Sequence, residues 1–435
     1  MYRGQSGGQS RLLVALAAGL LAAVLVLSVG SAQAQSAEVA PAGSPESSVN
    51  ADEGNPDEPT RRMVHWNEYE GPWFTARLGG GFLYDTANYS QDADSKSQFD
   101  LEASQFIRDS RLIMKGRLKF SPRLHYTIGY MYDSDDRAWF WRQTGLIVDM
   151  PEWGGDIFIG RTKEGFSMNK IMNGYSGWTN ERATANDSFI PILADGVQVR
   201  GSVADHGIAW NVGIYDDKYT DSESFNKNDN QFVARGVWQP LHGRPEDEIL
   251  HLGLAYRYGT DNGGGIQYKS RPESFSASPV IDTGVTPANH AQTIGLETYY
   301  QAGPLFLGGE YFLNQVSSPQ TGDPFLHGGE LMVTWLTGGE RRPYNAKTGV
   351  FGGIVTPNSV FDGGRGTWEF VARFSYTDLD DGPIEGGTFW RITPMVNWHM
   401  SANVRLEFVY GYGVLDRFDT KGGTHFFQTR IQLQL

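Results

Sequence analysis

The chain has 435 residues, with 36 Lys and Arg against 50 Asp and Glu, a formal net charge of −14 and no cysteine. The lack of cysteine excludes disulfide scaffolds, thiolate metal sites and cysteine nucleophiles. The acidic balance argues against nucleic acid as a partner, because nucleic-acid binding needs a basic surface. Aromatic residues make up 13% of the chain and glycine contributes 54 residues, a composition typical of a barrel with aromatic girdles and tight turns.

The first 34 residues predict an export signal peptide. Arg3 and Arg11 give a positively charged start, residues 12–29 form an apolar run, and Ala32–Ala34 supplies the small residues of a cleavage site. A retained membrane anchor is the alternative, since a run of about 18 apolar residues could cross a bilayer. The cleavage site favours removal.

Residues 35–65 predict a disordered periplasmic leader. The stretch from Gln35 to about Arg62 is rich in Ser, Pro, Glu and Asp and has almost nothing to bury. A regulatory tail is the alternative to a solvated spacer. The remaining residues, 66–435, are predicted to form one domain.

From Phe74 onward, extended segments follow one another with no convincing helix between them. The last eleven residues show the pattern best, because Phe427, Ile431 and Leu433 alternate with Gln428 and Arg430, and strand side chains alternate with a period of two. The predicted strand starts fall near residues 74, 106, 123, 141, 156, 193, 207, 231, 249, 291, 304, 329, 366, 387, 402 and 424. This even number suits a closed antiparallel barrel.

The pattern therefore predicts an all-β fold, a 16-stranded antiparallel transmembrane β-barrel with short periplasmic turns and long outer loops. Beyond the signal there is no long apolar run, so any other membrane crossing must be made of strands. A soluble sandwich or propeller is the alternative, but a propeller would show an internal repeat and none is found. One connection, Gly338 to Gly364, is long although it falls on the short side.

The predicted strand from Phe106 to Phe120 carries cations at near-alternate positions. If its apolar residues face lipid, the lumen receives Arg111, Lys115, Arg117 and Lys119. Several weak attractions in a row suit a channel, because a solute must enter favourably without being trapped. The alternative is a solvated wall whose cations pair with acids such as Asp109.

The third outer loop, Gly165 to Ile192, is the candidate for an inward-folded constriction, because loops of this length are usually functional or disordered. It carries Lys170 and Arg182, and the segment leading into it carries Arg161 and Lys163. Arginine suits phosphate through its planar fork, and lysine acts as a point charge. The alternative is a surface loop packed on the barrel rim.

Other predicted wall positions carry mixed charges, which either set a transverse field or form wall ion pairs, and most of these residues are expected to be structural or generic. They are Arg200, Arg235, Arg257, Arg373, Arg391 and Arg405, facing Glu297, Glu310, Glu369 and Glu407. Enzymatic signals are weak, since the nine His show no metal-site spacing and the single GxSxG match lies in the export signal. The sequence predicts neither an enzyme nor a bound metal or cofactor.

Several stretches resemble the phosphate-selective porin O and P family of outer-membrane channels. The matching positions are Gly339, Glu340, Arg342 and Tyr344, then Trp368, Glu369, Arg373, Ser375, Asp378 and Leu379, then Asn397 and Trp398, and the final run 426–435. The family shares the long connection at Gly338 to Gly364. Two positions depart from its pattern, since Leu435 stands where an aromatic residue is usual and His399 where Tyr is usual.

The resemblance implies a sixteen-stranded homotrimeric barrel that passes anions such as phosphate. We therefore expect a bacterial outer-membrane porin for passive diffusion of small anions, narrowed by the third loop and surrounded by outer-membrane lipid. A general or cation-tolerant channel is the alternative, made plausible by the acidic total charge. A barrel enzyme is a third reading, for which no catalytic constellation emerges.

Overall fold

The computed structural model describes residues 67–134, 137–216, 226–242, 248–261 and 263–435. The predicted export signal, 1–34, and the predicted leader, 35–65, lie outside the described residues. None of the helices in the described ranges is both long enough and apolar enough to cross a membrane.

Strands dominate the described part of the chain. They are β1 Glu68–Glu70, β2 Thr75–Gln91, β3 Ser104–Arg117, β4 Leu124–Asp133, β5 Ala138–Trp141, β6 Thr144–Met150, β7 Gly155–Thr162, β8 Ala194–Val203, β9 Ile208–Asp216, β10 Asn226–Lys227, β11 Asn230–Trp238, β12 Glu248–Thr260, β13 Gln267–Ser270, β14 Ile281–Asp282, β15 His290–Ala302, β16 Leu305–Ser317, β17 Phe325–Leu336, β18 Tyr344–Asn345, β19 Val350–Phe351, β20 Thr367–Asp381, β21 Ile384–His399, β22 Val404–Arg417 and β23 Thr420–Gln434. The short α-helices are α1 Ala93–Gln98, α2 Met168–Ile171 and α3 Thr184–Phe189, and 3-10 turns occupy Pro151–Trp153, Gly174–Ser176, Ala204–His206, Thr337–Gly339 and Val360–Asp362. These helices were not predicted from the sequence, because each spans two turns or fewer.

Sixteen strands form one closed antiparallel barrel, as predicted. Each wall strand pairs with the next along the chain, and β23 pairs with β2, where Leu433 lies opposite Phe82. β5 and β6 are two parts of one wall strand, since both pair with β4. The largest difference between a predicted and an observed strand start is four residues, at β17 and β23.

The two faces of the wall differ as the alternation requires. Leu331 on β17 is 62% exposed, whereas its neighbours Glu330 and Met332 are 7% and 3% exposed. On β23, Phe427 and Ile431 are likewise exposed, and the alternate residues Gln428 and Arg430 are buried. Apolar rows therefore face outward, where a membrane protein meets lipid, and polar rows face inward.

Three connecting segments contact the inner face of the wall: residues 163–193, which we call the third loop, residues 263–289, which we call the second inserted loop, and residues 338–366, which we call the long turn. Apolar clusters join them to the wall. One contains Phe166 and Phe189 of the third loop with Phe312 of β16. The other contains Trp178 of the third loop with Phe351 of the long turn. The alternation of the strands did not predict these apolar clusters inside the barrel.

Candidate functional site: a cationic passage inside the barrel

A row of three acids on the wall holds the start of the third loop. Glu297, Glu310 and Glu330 lie directly opposite one another on β15, β16 and β17. The backbone N–H of Met168 donates to Glu297 Oε1 at 3.1 Å, and that of Asn169 donates to Glu310 Oε1 at 2.8 Å. All three carboxylates are buried. Glu297 and Glu310 bind loop backbone and Glu330 accepts from the Asn169 side chain, which agrees with the expectation that most wall charges are structural.

A fourth acid, Glu181 of the third loop itself, binds the far side of that loop to the wall. It accepts from Arg108 Nε at 2.7 Å and from Arg430 Nη2 at 2.6 Å. Burial alone would raise the pKa of Glu181, but the two guanidinium groups outweigh it and keep that pKa well below its ordinary range. The carboxylate is therefore ionised at neutral pH.

The inward position of Arg108 depends on an irregularity that strict alternation hides. The register of β2 and β3 shifts between Leu83 and Tyr84, so that Leu83 pairs with Asp109 and Tyr84 with Ile107. Such a bulge adds one residue to a strand and redirects the side chains beyond it. Arg108 and Asp109 consequently both point into the barrel, and sequence reasoning missed Arg108.

Consecutive carbonyl oxygens of the third loop accept from side chains of the wall and the long turn. The donors are Gln432 to Tyr175 at 2.9 Å, Arg342 to Ser176 at 2.9 Å, Arg405 to Gly177 at 2.6 Å and Asn397 to Trp178 at 2.9 Å. Glu369 in turn accepts from Arg342 at 2.6 Å, Asn397 at 3.0 Å and His399 at 3.1 Å. Three residues that carried the sequence resemblance, Arg342, Glu369 and Asn397, therefore meet beneath the loop.

The second inserted loop reaches the strands β20 and β21. Arg391 Nη1 donates to the carbonyl oxygens of Pro272 at 2.9 Å and Glu273 at 3.0 Å. The Glu273 carboxylate, itself buried, accepts from Arg373 and Ser375. The tip of this loop is therefore held against the wall by backbone and side-chain contacts together.

A cavity of about 130 Å³ opens beside the long turn, and we call it the turn-side cavity. Six cations line it: Arg111, Lys115, Arg142, Lys163, Arg200 and Lys347. Within the described ranges its lining includes no acidic residue. Asp109 and Asp156 lie behind the lining, where they pair with Arg111 and, at 2.6 Å, with Arg200.

A second cavity, of about 220 Å³, lies beside the tip of the second inserted loop, and we call it the loop-side cavity. Its cations among the described residues are Arg108, Arg111, Arg142, Lys163, Lys170, Arg182, Arg271 and Arg430, and its acids are Asp109, Glu181, Asp187 and Glu273. Arg111, Arg142 and Lys163 line both cavities. The two cavities are therefore adjacent, and we call them together the cationic passage.

The four cations predicted on the strand from Phe106 to Phe120 lie in different surroundings. Arg111 lines both cavities and lies over the ring of Tyr175, with its guanidinium carbon 4.6 Å from the ring centroid. Lys115 lines the turn-side cavity. Arg117 lies opposite His125 at the end of the strand. Lys119 follows the strand end and donates to Glu70 at 3.0 Å.

The cations predicted around the third loop also differ in position. Lys163 lines both cavities and donates to the Met172 carbonyl oxygen at 2.7 Å. Lys170 is buried against Asp187 at 2.7 Å, and burial lowers its pKa although that carboxylate opposes the effect. Arg182 lines the loop-side cavity and donates to the Asn169 carbonyl oxygen at 3.0 Å.

Arg161 lies on the outward face of the barrel. It pairs with Asp195 at 3.2 Å across β7 and β8, on the same face as Ile159, which is 48% exposed. Strand alternation places the inward side chains at Phe158 and Thr162 instead. Arg161 therefore faces away from the lumen, in contrast to the prediction that it lines the pore.

Known proteins that are similar to this chain share its barrel architecture. The family model for phosphate-selective porin O and P matches residues 76–435. The chain belongs to this family. A curated relative, an uncharacterized protein of Caulobacter vibrioides, is 26% identical over 187 residues, which covers 42% of the porin and 36% of the relative. The chain thus aligns with only about a third of that relative's length.

Solved structures share the porin's fold at low sequence identity. The outer membrane channel DcaP of Acinetobacter baumannii superposes with a TM-score of 0.54 at 10% identity, covering 84% of the porin and 99% of DcaP. OmpF of Salmonella typhi, in complex with daunomycin, gives 0.54 at 12% identity, covering 85% and 100%. Outer-membrane expressed OmpT of Vibrio cholerae gives 0.50 at 10% identity, covering 85% and 100%. The porin belongs to the bacterial outer membrane.

Proposed function

We propose that the porin passes small anions such as phosphate by passive diffusion through the cationic passage. The lining of the turn-side cavity supports this proposal most directly, because six cations and no acid line it among the described residues. A mobile anion entering this section meets positive side chains from the wall, the third loop and the long turn.

The expected attraction is strong enough to select and weak enough to release. One unit charge at 4 Å contributes about 1 kcal/mol in bulk-like water and roughly 4 kcal/mol near a protein surface. A sequence of such sites lets an anion move from one cation to the next without occupying a deep minimum. Lys115 and Lys163 suit this role as point charges, and Arg111, Arg142 and Arg200 add planar donors for phosphate oxygens.

We further propose that the third loop is the constriction of the pore. Its start contacts the acid row on β15, β16 and β17, and its far side contacts Arg108 and Arg430. In this arrangement Lys170 and Arg182 position the loop, and Lys163 faces the solute. Arg117 and Lys119 would attract anions at the periplasmic mouth.

The test is the reversal potential of purified porin in a planar bilayer under a KCl gradient. We expect the sign that indicates preference for chloride, and we expect added phosphate to reduce the chloride current. A cation-selective sign would contradict the proposal. It would instead favour a general or cation-tolerant channel, the alternative suggested by the acidic total charge and by the buried acids of the loop-side cavity.

We also propose that the porin is a homotrimer embedded in outer-membrane lipid, as its family resemblance implies. The exposed apolar face of the barrel supports contact with lipid or with neighbouring barrels. The mass of the detergent-solubilised protein, measured by light scattering, tests the assembly. A monomer mass under conditions that preserve channel activity would contradict it.

A further inference from the structure

The loop-side cavity contains apolar side chains that an inorganic anion would not use. Leu83, Met131, Phe140, Ile192 and Phe275 line it together with its cations. Apolar surface stabilises a complex only when it meets another apolar surface and both leave water. Sites for small organic ligands commonly combine apolar walls with a few well-placed charged groups.

A cationic side chain and two apolar side chains lie next to one another across the wall of this cavity. Arg111 lies directly opposite Met131 on β4, and Met131 lies directly opposite Phe140 on β5. Phe140 is only partly buried, although it lies on the inward side of the wall. A ligand that reaches Arg111 therefore has an aromatic surface within the same cavity.

A second aromatic ring reaches the cavity from the tip of the second inserted loop. The guanidinium carbon of Arg108 lies 3.8 Å from the Phe275 ring centroid, and that of Arg271 lies 4.5 Å away. Such cation–π contacts keep guanidinium groups beside an aromatic surface. Because Arg373 and Ser375 hold the neighbouring Glu273, the ring is positioned before a ligand arrives.

We infer that the loop-side cavity binds organic anions in which a phosphate or carboxylate is bonded to an aromatic ring, in preference to the corresponding bare anion. This inference rests on the proposed function, since it names the solute class of the same passage. The cations would bind the anionic group, and Phe140 and Phe275 would contact the ring. Aromatic pairs make contributions that correspond to about three- to tenfold in affinity.

Two matched pairs of probes test the inference, each measured as block of the chloride current through single channels. Phenyl phosphate is compared with inorganic phosphate, and benzoate with acetate. We expect the ring-bearing member to block at about three- to tenfold lower concentration in both pairs. Preference within the phosphate pair alone would restrict the solute class to phosphates.

Two single variants then separate ligand contact from loop support. Phe140→Ala changes the wall and Phe275→Ala changes the loop tip, and each should reduce the ratio within a pair without altering block by inorganic phosphate. Phe418→Ala is the control, because Phe418 also lies beside an arginine, Arg417 at 4.5 Å, but on the exposed β22–β23 connection. That variant should keep the wild-type ratio.

The outcomes distinguish this inference from the proposed function. A cation-selective reversal potential would overturn both. An anion-selective channel blocked equally by phenyl phosphate and inorganic phosphate would overturn the inference alone. So would variants that weaken block by both members of a pair equally, because the rings would then support the protein and not the ligand.

Discussion

The loop-side and turn-side cavities share three cations but differ in what faces those cations. In the loop-side cavity, acids stand among the cations, and pairs such as Arg108 with Glu181 hold the inserted segments. In the turn-side cavity, the described lining contains six cations and no acid, and Asp109 and Asp156, the partners of Arg111 and Arg200, are not part of it. Arginine and lysine side chains therefore stand in two kinds of surroundings inside one barrel. Under the proposed function, cations paired with acids of the inserted segments organise the passage, and cations that line the turn-side cavity attract the solute.

The largest expected effect comes from removing the acid that organises the loop-side cavity. Glu181→Gln leaves Arg108 and Arg430 with one fewer negative partner, and breaking a buried ion pair costs roughly 3–5 kcal/mol. We expect a less stable third loop, seen as increased current noise in the open channel and a lower unfolding temperature.

Glu152→Gln is the matched control for that change. Glu152 also binds an arginine, Arg123 at 2.7 Å, but both side chains are about half exposed, and such pairs contribute roughly 0–1 kcal/mol. If the two variants behave alike, the third loop does not depend on Glu181, and the distinction between organising and solute-facing cations fails.

The next effect should come from neutralising cations of the turn-side cavity. In the triple variant Lys115→Gln, Arg142→Gln, Lys347→Gln, we expect the anion-to-cation permeability ratio to fall about tenfold, which corresponds to roughly 1.4 kcal/mol. The reversal potential in a salt gradient measures it. The control, Lys96→Gln with Lys421→Gln, removes cations with 65% exposed side chains from α1 and from the start of β23 and should leave the ratio unchanged. An unchanged ratio in the triple variant would show that these cations of the turn-side cavity do not determine anion selectivity.

A smaller effect is expected where the wall makes room for the third loop. A Cβ atom at Gly81 would lie 2.4 Å from the Tyr175 ring, so Gly81→Ala must displace the ring that lies beside Arg111. Overpacking of this kind costs roughly 1–3 kcal/mol. We expect altered single-channel conductance and a modest loss of thermal stability. Gly236→Ala, at a wall position with open space around the added carbon, should change neither.

The smallest effect should be the response to mild acid. Because the pKa of Glu181 is held below its ordinary value, its contribution to stability is complete above the unfolded pKa of about 4.3 and is lost as the pH falls through the lower, folded value. Current noise should therefore stay constant from pH 7 to about pH 5 and rise only in stronger acid. Glu181→Gln should lack this component, and a transition near neutral pH that disappears in Glu181→Gln would contradict the assignment.

The sequence predicted the barrel well because strand alternation is a local property. The sixteen wall strands, their antiparallel order and the outward row at Phe427 and Ile431 all follow from a period of two along short stretches. Arg111 and Lys115 were assigned to the inner face on the same basis, and the structure places both there. Arg161 was predicted to line the pore without regard to the alternation of its own strand, β7. That alternation places its side chain on the outward face.

Only the tertiary structure decided which cations line the passage and which acid each of them meets. Arg430 meets Asp85, 345 residues away in the chain, and Arg108 turns inward only because of the bulge between β2 and β3. Lys347 lines the turn-side cavity although it lies in the long turn, far along the chain from Arg111 and Lys115. Strand alternation does not predict the path of that turn. The physical reason is that period-two alternation fixes the face of each side chain from local geometry, whereas charge pairing depends on distances between segments that meet only after the barrel closes.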